Sequence, residues 1–202
     1  HAFTATAGKK VLLDIRKYLD MEKVRLFRKS YRRDNLAFYN IYTEAKMHSL
    51  YHFIRQQKNA TGIVYVRSRI RTVNIATYLN NQGIISNYYH AGLSMELRDE
   101  HQLKWMEGKT RVIVCTNAFG MGIDKPNIRF TIHYGIPSSR EAFYQEAGRA
   151  GRDSKDAVCY MFSYENSSHT NKLIDQFLDL DTPIPTLHNL NDQLKWKSDI
   201  ST

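Results

Sequence analysis

The chain has 202 residues, 29 Lys and Arg against 20 Asp and Glu, and a formal net charge of +9. Its 42% hydrophobic and 12% aromatic residues suffice for a packed core and exclude wholesale disorder. No run reaches the roughly 18 apolar residues of a membrane span. Two isolated cysteines, Cys115 and Cys159, make no metal quartet and point to a reducing compartment. A start at His1 instead of Met reads as the edge of a longer polypeptide. Residues 1–58 carry 13 basic and 5 acidic groups, residues 59–150 carry 11 and 7, and residues 151–202 carry 5 and 8. A basic front half suits a phosphate-bearing partner, although many domains are basic without touching nucleic acid.

In chain order, Lys9–Leu19 reads as a helix, Val24–Ser30 and Leu36–Tyr42 as strands, and Glu44–Gln57 as a helix with Leu50, Phe53 and Ile54 inward. Short β-branched or aromatic runs then recur at Gly62–Val66, Ile84–Tyr89, Arg111–Cys115, Arg129–Tyr134 and Ala157–Phe162. Between them, Ile70–Gln82 sets Val73, Ala76 and Leu79 on one helix face and ends at Gly83, a favourable residue for leaving a helix. Met95–Glu107 opens behind Ser94 and ends at Gly108. Arg140–Ala147 opens with Ser138 and Glu141 at capping-box spacing and stops at Gly148. Leu173, Ile174, Phe177 and Leu178 mark one further amphipathic helix, ahead of a linker at Asp181–Pro185. The alternation predicts an α/β fold, a mostly parallel sheet flanked by helices on both faces. In such sheets the working residues sit in loops beyond the carboxyl ends of the strands, which directs attention to Arg67–Arg69, His90–Leu93, Thr116–Asn127 and Gly135–Ser139.

Two segments carry chemistry. In Gly148-Arg149-Ala150-Gly151-Arg152-Asp153, two arginines three residues apart each follow a glycine. A guanidinium fork matches phosphate oxygens bidentately and can spread charge over a transferring phosphoryl group, although two surface arginines on a turn would look the same. In Val112–Pro126 a buried strand runs into Thr116, two glycines and Asp124. Thr116 could bind a backbone phosphate through its hydroxyl and N–H, and Asp124 could accept from a ribose hydroxyl or hold an arginine. An ordinary loop whose Asp caps a turn explains the second segment equally well.

Taken together, the segments resemble the RecQ family of DNA helicases. Ala118–Phe130 is similar to the family's fifth helicase motif and Tyr144–Asp153 to its sixth. Phe3–Ala7 resembles the third, Ser30–Leu36 the interdomain segment, Gly62–Arg69 the fourth motif, and Tyr89–Leu93 the block after it. The resemblance covers roughly residues 2 to 178. It implies a RecA-like fold. By position, residues 1–30 would be the end of a first RecA-like domain with the interdomain segment, 31–180 a second such domain, and 181–202 a linker into a C-terminal extension. The family implies ATP hydrolysis in the cleft between two such domains and 3′ to 5′ travel on single-stranded DNA. Carried over by position, Arg149 and Arg152 would reach the ATP phosphates, with Arg152 as the arginine finger. Gln145, Gly122 and Asp124 would line the nucleotide, Asp124 near its sugar. Ser68, His90, Gly92 and Thr116 would follow the DNA strand, with Arg67 and Arg69 beside it. The implied partners are DNA and the first RecA-like domain of the same polypeptide, with no membrane, and the implied location is cytoplasmic, at a bacterial nucleoid or in a eukaryotic nucleus.

The departures are informative. A phosphate-cradling G-x-x-x-x-G-K-[ST] loop and a Mg²⁺-holding D-E-x-H are both required for turnover, and neither is present. Ala7-Gly8-Lys9-Lys10 lacks the first glycine and the terminal hydroxyl. Asp99-Glu100-His101-Gln102 lies mid-helix with its His one place early. ATP and Mg²⁺ are therefore expected to be bound mainly by the first domain, and this chain alone is expected to be inactive. Val66-Arg67 stands where the family commonly has Cys-Asn, and no cysteine follows Leu180, where the family's zinc module usually begins. A non-catalytic nucleic-acid-binding module and an RNA helicase of the same superfamily are the alternatives. Tyr144-Gln145 replaces the His-Arg usual in the sixth motif of the latter.

Overall fold

The computed structural model describes residues 9–21, 25, 27, 33–120 and 122–163. The third-motif segment, most of the strand expected at 24–30, the final amphipathic helix and the linker at 181–185 lie outside them. The chain divides into two compact units at Arg33/Asp34. In the first, α1 spans Lys9–Tyr18, and the Arg25 guanidinium sits 5.0 Å over the Phe27 ring.

The second unit alternates strand and helix: β1 (Leu36–Tyr42), α2 (Lys46–Gln56), β2 (Thr61–Tyr65), α3 (Arg69–Asn81), β3 (Ser86–Tyr89), α4 (Met95–Met106), β4 (Val112–Cys115), β5 (Ile128–His133), α5 (Arg140–Ala147) and β6 (Ala157–Ser163). The six strands form one sheet in the order β1-β6-β5-β2-β4-β3, every pairing parallel. Its central strands are buried on both faces, which is why β4 reads Val-Ile-Val-Cys without polar alternation. Leu50, Phe53 and Ile54 of α2 and Ile75, Ala76 and Leu79 of α3 pack with Val64, Val114, Phe130, Ile132 and Phe162 on one face. On the other, Trp105 of α4 joins Ile63, Tyr65, Ile113, Phe119 and Ile123, while Phe143 and Ala147 of α5 pack with Cys159. The helices thus cover both faces. The fold is RecA-like.

The caps fix where each helix faces. Ser68 and Ser94 accept from the backbone N–H three residues on, at Arg71 and Leu97. Helix α3 leaves through a Schellman turn: Gly83 takes φ +77°, its N–H donates to Asn80, and Ile84 N–H donates to Leu79. Two expectations need correction. The cap of α5 is Ser139, whose hydroxyl accepts from Ala142 N–H at 3.1 Å, and not Ser138. The buried stripe of α3 is Thr72, Ile75, Ala76 and Leu79, with Val73 only half-buried, because the sheet lies under a stripe rotated by one position.

Candidate nucleotide and nucleic-acid site

The predicted residues fall into two groups. The first lies at the carboxyl ends of β2, β3 and β4. Ser68 opens α3, and the flanking Arg67 and Arg69 are exposed, with no hydrogen bond engaging either guanidinium among the described residues. Beyond β3, His90 Nδ1 accepts from Gly92 N–H at 3.2 Å, which leaves the ring proton on Nε2. Burial and the nearby Arg69 charge hold the His90 pKa below its ordinary value, so the ring is neutral at neutral pH. A Cβ on Gly92 would stand 3.2 Å from Arg69 Nη1 and 3.3 Å from His90 Nδ1, so glycine lets these three groups share one corner. Thr116, next to them beyond β4, spends its N–H on the Tyr89 carbonyl at 3.1 Å. The expectation that this N–H is available to a phosphate is therefore corrected: only its side chain is. Thr116 Oγ1 accepts from Ala118 N–H at 3.4 Å, and Ser68 Oγ accepts from Arg71 N–H at 3.4 Å. Each hydroxyl keeps its own proton to donate.

The second group departs from the carboxyl-end rule. Helix α5 runs back along the sheet, so Gly148–Asp153 lies beside the start of β5, where Gly151 N–H donates to the Ile128 carbonyl at 2.9 Å. The loop after β4 descends the same face to meet it. Arg149 Nη1 donates to the Gly120 carbonyl, and Arg152 Nη1 donates to both the Ile123 carbonyl and Asp124 Oδ1, each at 2.9 Å. Gly120 has φ +142°, and any Cβ there would strike the Arg149 guanidinium, so only glycine fits. The Arg152–Asp124 pair is open to solvent, with side chains 36% and 83% exposed. Gly122, at φ +78°, and Gln145 are exposed nearby in sequence. Asp153 turns the other way: Arg129 Nη2 donates to it at 2.6 Å and holds its pKa below the usual carboxylate value.

Between the groups stands a pairing that sequence reading missed. His133 Nε2 and Glu146 Oε2 are 2.9 Å apart, and the imidazole is stacked on Tyr65 with centroids 5.3 Å apart. Among the described residues, His133 Nδ1 is buried without a hydrogen-bond partner, and the Tyr65 phenol lies beside the Arg149 guanidinium. Burial pushes the Tyr65 phenol and the Cys115 thiol well above their ordinary pKa values, and the Arg149 charge opposes that rise in part. Tyr65, Arg67, Asn117, His133, Gly135 and Glu146 are among the residues lining a cavity of about 170 Å³ here. A histidine ending one strand and a glutamate in the last turn of a helix gave no sequence signal of contact. Among the described residues no cluster of three His, Cys, Asp or Glu is placed to hold a metal ion.

Comparison with known proteins gives the family of the chain. The helicase conserved C-terminal domain family matches residues 45–154. The RecQ-like DNA helicase blm-1 of Caenorhabditis elegans is 42% identical over 180 residues, 87% of this chain and 18% of that protein. The ATP-dependent DNA helicase RecQ of Bacillus subtilis is 38% identical over 176 residues, 87% of this chain and 30% of that protein. The chain thus spans less than a third of these relatives' length. Among solved structures, S. cerevisiae Dbp5 bound to RNA and ADP BeF3 matches with a TM-score of 0.75 at 18% identity, over 95% of this chain and 53% of that one. E. coli SrmB, a DEAD-box protein, matches with a TM-score of 0.64 at 23% identity, over 78% and 90%. At those identities the structural likeness is one of fold alone. The chain belongs to the helicase conserved C-terminal domain family, and within it to the RecQ-type helicases.

Proposed function

We propose that this domain is the second motor domain of an ATP-dependent DNA helicase that moves 3′ to 5′ along single-stranded DNA. Arg152 is its arginine finger, Arg149 a second phosphate ligand, and Gln145, Gly122 and Asp124 line the nucleotide, Asp124 toward the sugar. Ser68, Arg67, Arg69, His90, Gly92 and Thr116 form part of the DNA track. The observation that carries the reading is the state of Arg152, held in place by one carbonyl and one exposed carboxylate. An exposed ion pair is worth only about 0–1 kcal/mol, so a nucleotide phosphate, with more charge and matched geometry, displaces Asp124 at little cost. The backbone bond to Ile123 meanwhile keeps the guanidinium aimed.

On the DNA side the donors suit phosphate oxygens and read no base: two hydroxyl protons, the Nε2–H of a neutral imidazole and two exposed guanidinium groups. A motor that must travel over any sequence needs such contacts. This chain carries neither a G-x-x-x-x-G-K-[ST] loop nor a D-E-x-H, so the P-loop and the Mg²⁺ ligands belong to the first domain. Such a protein works where DNA is, at a nucleoid or in a nucleus. The purified 202-residue chain is expected to show negligible ATP turnover with or without DNA, and the same chain joined to its first motor domain to show DNA-stimulated turnover. Measurable hydrolysis by the isolated chain would contradict the reading. Binding of the joined protein to DNA and RNA strands of one sequence separates the DNA reading from an RNA-directed motor.

A further inference from the structure

Lys125 is the most unusual charged residue of the domain. It is only 6% exposed, and no carboxylate pairs with it among the described residues. Its ammonium is held by the Met106 carbonyl at 2.8 Å and lies 5.5 Å from the centre of the Trp105 ring. Burial holds its pKa below the ordinary lysine value, so the charged form is costly here. An apolar side chain of similar length would fill the space without that cost. Stability alone therefore does not account for a lysine at this position.

What Lys125 connects does account for it. Met106 and Trp105 end helix α4, 12 residues and so about 18 Å long. Trp105 is fully buried, donates from Nε1 to the Gly62 carbonyl at 3.2 Å, and meets Phe119 edge-on at 5.4 Å. One turn earlier, His101 Nδ1 donates to the Tyr88 carbonyl at 2.7 Å, and its ring meets Tyr88 edge-on at 4.9 Å. Tyr88 is in turn stacked on His90 of the DNA-side corner, with centroids 6.0 Å apart. At the other end, Lys125 lies two residues beyond Ile123, whose carbonyl keeps the Arg152 guanidinium aimed. Packed rings and hydrogen bonds from His90 to His101, the backbone of α4, the Lys125 contacts at its end and the short stretch from Ile123 to Lys125 thus link the DNA-side corner to the arginine finger, and none of Tyr88, His101, Trp105 and Lys125 is exposed.

We infer that α4 is a rigid strut coupling DNA engagement at His90 to the position of Arg152, and that His101 and Lys125 are the positioning residues that pin its two sides. The inference rests on the helicase reading above. A strut of this kind passes on a displacement because a packed helix moves as a body, and coupling between two sites is commonly 5- to 150-fold.

The test uses the polypeptide in which this domain is joined to its first motor domain, assayed for ATP turnover across a titration of single-stranded DNA. Lys125→Met is expected to keep basal turnover and DNA affinity within about twofold while lowering the stimulation by saturating DNA about tenfold. Lys125→Arg restores most of it, since a guanidinium reaches the same carbonyl. His101→Gln lowers stimulation in the same way, and the double variant is no worse than Lys125→Met alone, as expected for two pins of one strut. Full stimulation in Lys125→Met and His101→Gln overturns the strut. So does a parallel loss of basal turnover and thermal stability that arginine does not rescue, the mark of a merely structural lysine. If Lys125→Met does not fold, His101→Gln and the arginine variant decide the matter on the same readouts. Absence of DNA-stimulated turnover in the unaltered protein would instead defeat the helicase reading itself.

Discussion

The two arginine-bearing corners of this domain solve opposite problems. At the end of α5, Arg149 and Arg152 are tied to the carbonyls of Gly120 and Ile123, and the Gly120 backbone leaves no room for a side chain beside Arg149. At the start of α3, Arg67 and Arg69 are exposed, with no hydrogen bond to either guanidinium among the described residues. Phosphoryl transfer rewards position, because a guanidinium misplaced by about an ångström loses most of its effect. Gripping a moving strand rewards availability, because the phosphates change at every step and any nearby cation serves. One fold therefore keeps two kinds of arginine: one held before the ligand comes, one left to find it.

That contrast breaks down if the held arginines prove as replaceable as the free ones. In the protein joined to its first motor domain, Arg152→Ala should lower ATP turnover about 10³-fold or more while leaving affinity for single-stranded DNA within about twofold, read by steady-state kinetics and an equilibrium binding assay. Gly120→Ala sharpens the point without touching an arginine. It forces a side chain into a glycine-only conformation and against Arg149, so about 1–3 kcal/mol of stability should disappear from a denaturant titration. A neutral outcome there would mean that Arg149 is not held as described. On the free side, Arg69→Ala should weaken DNA binding a few-fold at low salt. It should also reduce the slope of log affinity against log salt by about 0.7, with turnover at saturating DNA unchanged. The smallest effect is one of pH. The folded-state pKa of His90 lies below its unfolded value, so the stability held by the neutral ring is full above that unfolded value. It is lost as pH falls through the folded one, and His90→Gln should flatten this part of the pH–stability profile.

Much of the fold could be read from the residues alone, for identifiable reasons. Strands buried on both faces are rich in apolar and β-branched residues, so β2, β4 and β5 announced themselves, and Ser94, Gly83 and Gly108 marked helix ends because few residues serve there. Ser138 and Ser139 were not separable, since either hydroxyl suits a helix entrance after Pro137 and only the turn's direction selects the second. Long-range partners were beyond reach for the same reason. Nothing in a one-dimensional pattern says that Thr116 N–H is taken by Tyr89, that His133 meets Glu146, or that Lys125, in a polar loop, is buried against Trp105. The carboxyl-end rule located the DNA-side corner and the loop holding Gly120 and Asp124 but missed the arginines, because α5 carries them back to the start of β5.

The most direct test of this division is a paired measurement of single-stranded DNA affinity and DNA-saturated ATP turnover for Arg152→Ala and Arg69→Ala, in the protein joined to its first motor domain. The two variants should fail in opposite columns: turnover collapses with affinity kept for Arg152→Ala, and affinity falls with turnover kept for Arg69→Ala. Both variants losing affinity and turnover in equal proportion would contradict a domain with separate nucleotide-facing and DNA-facing arginines.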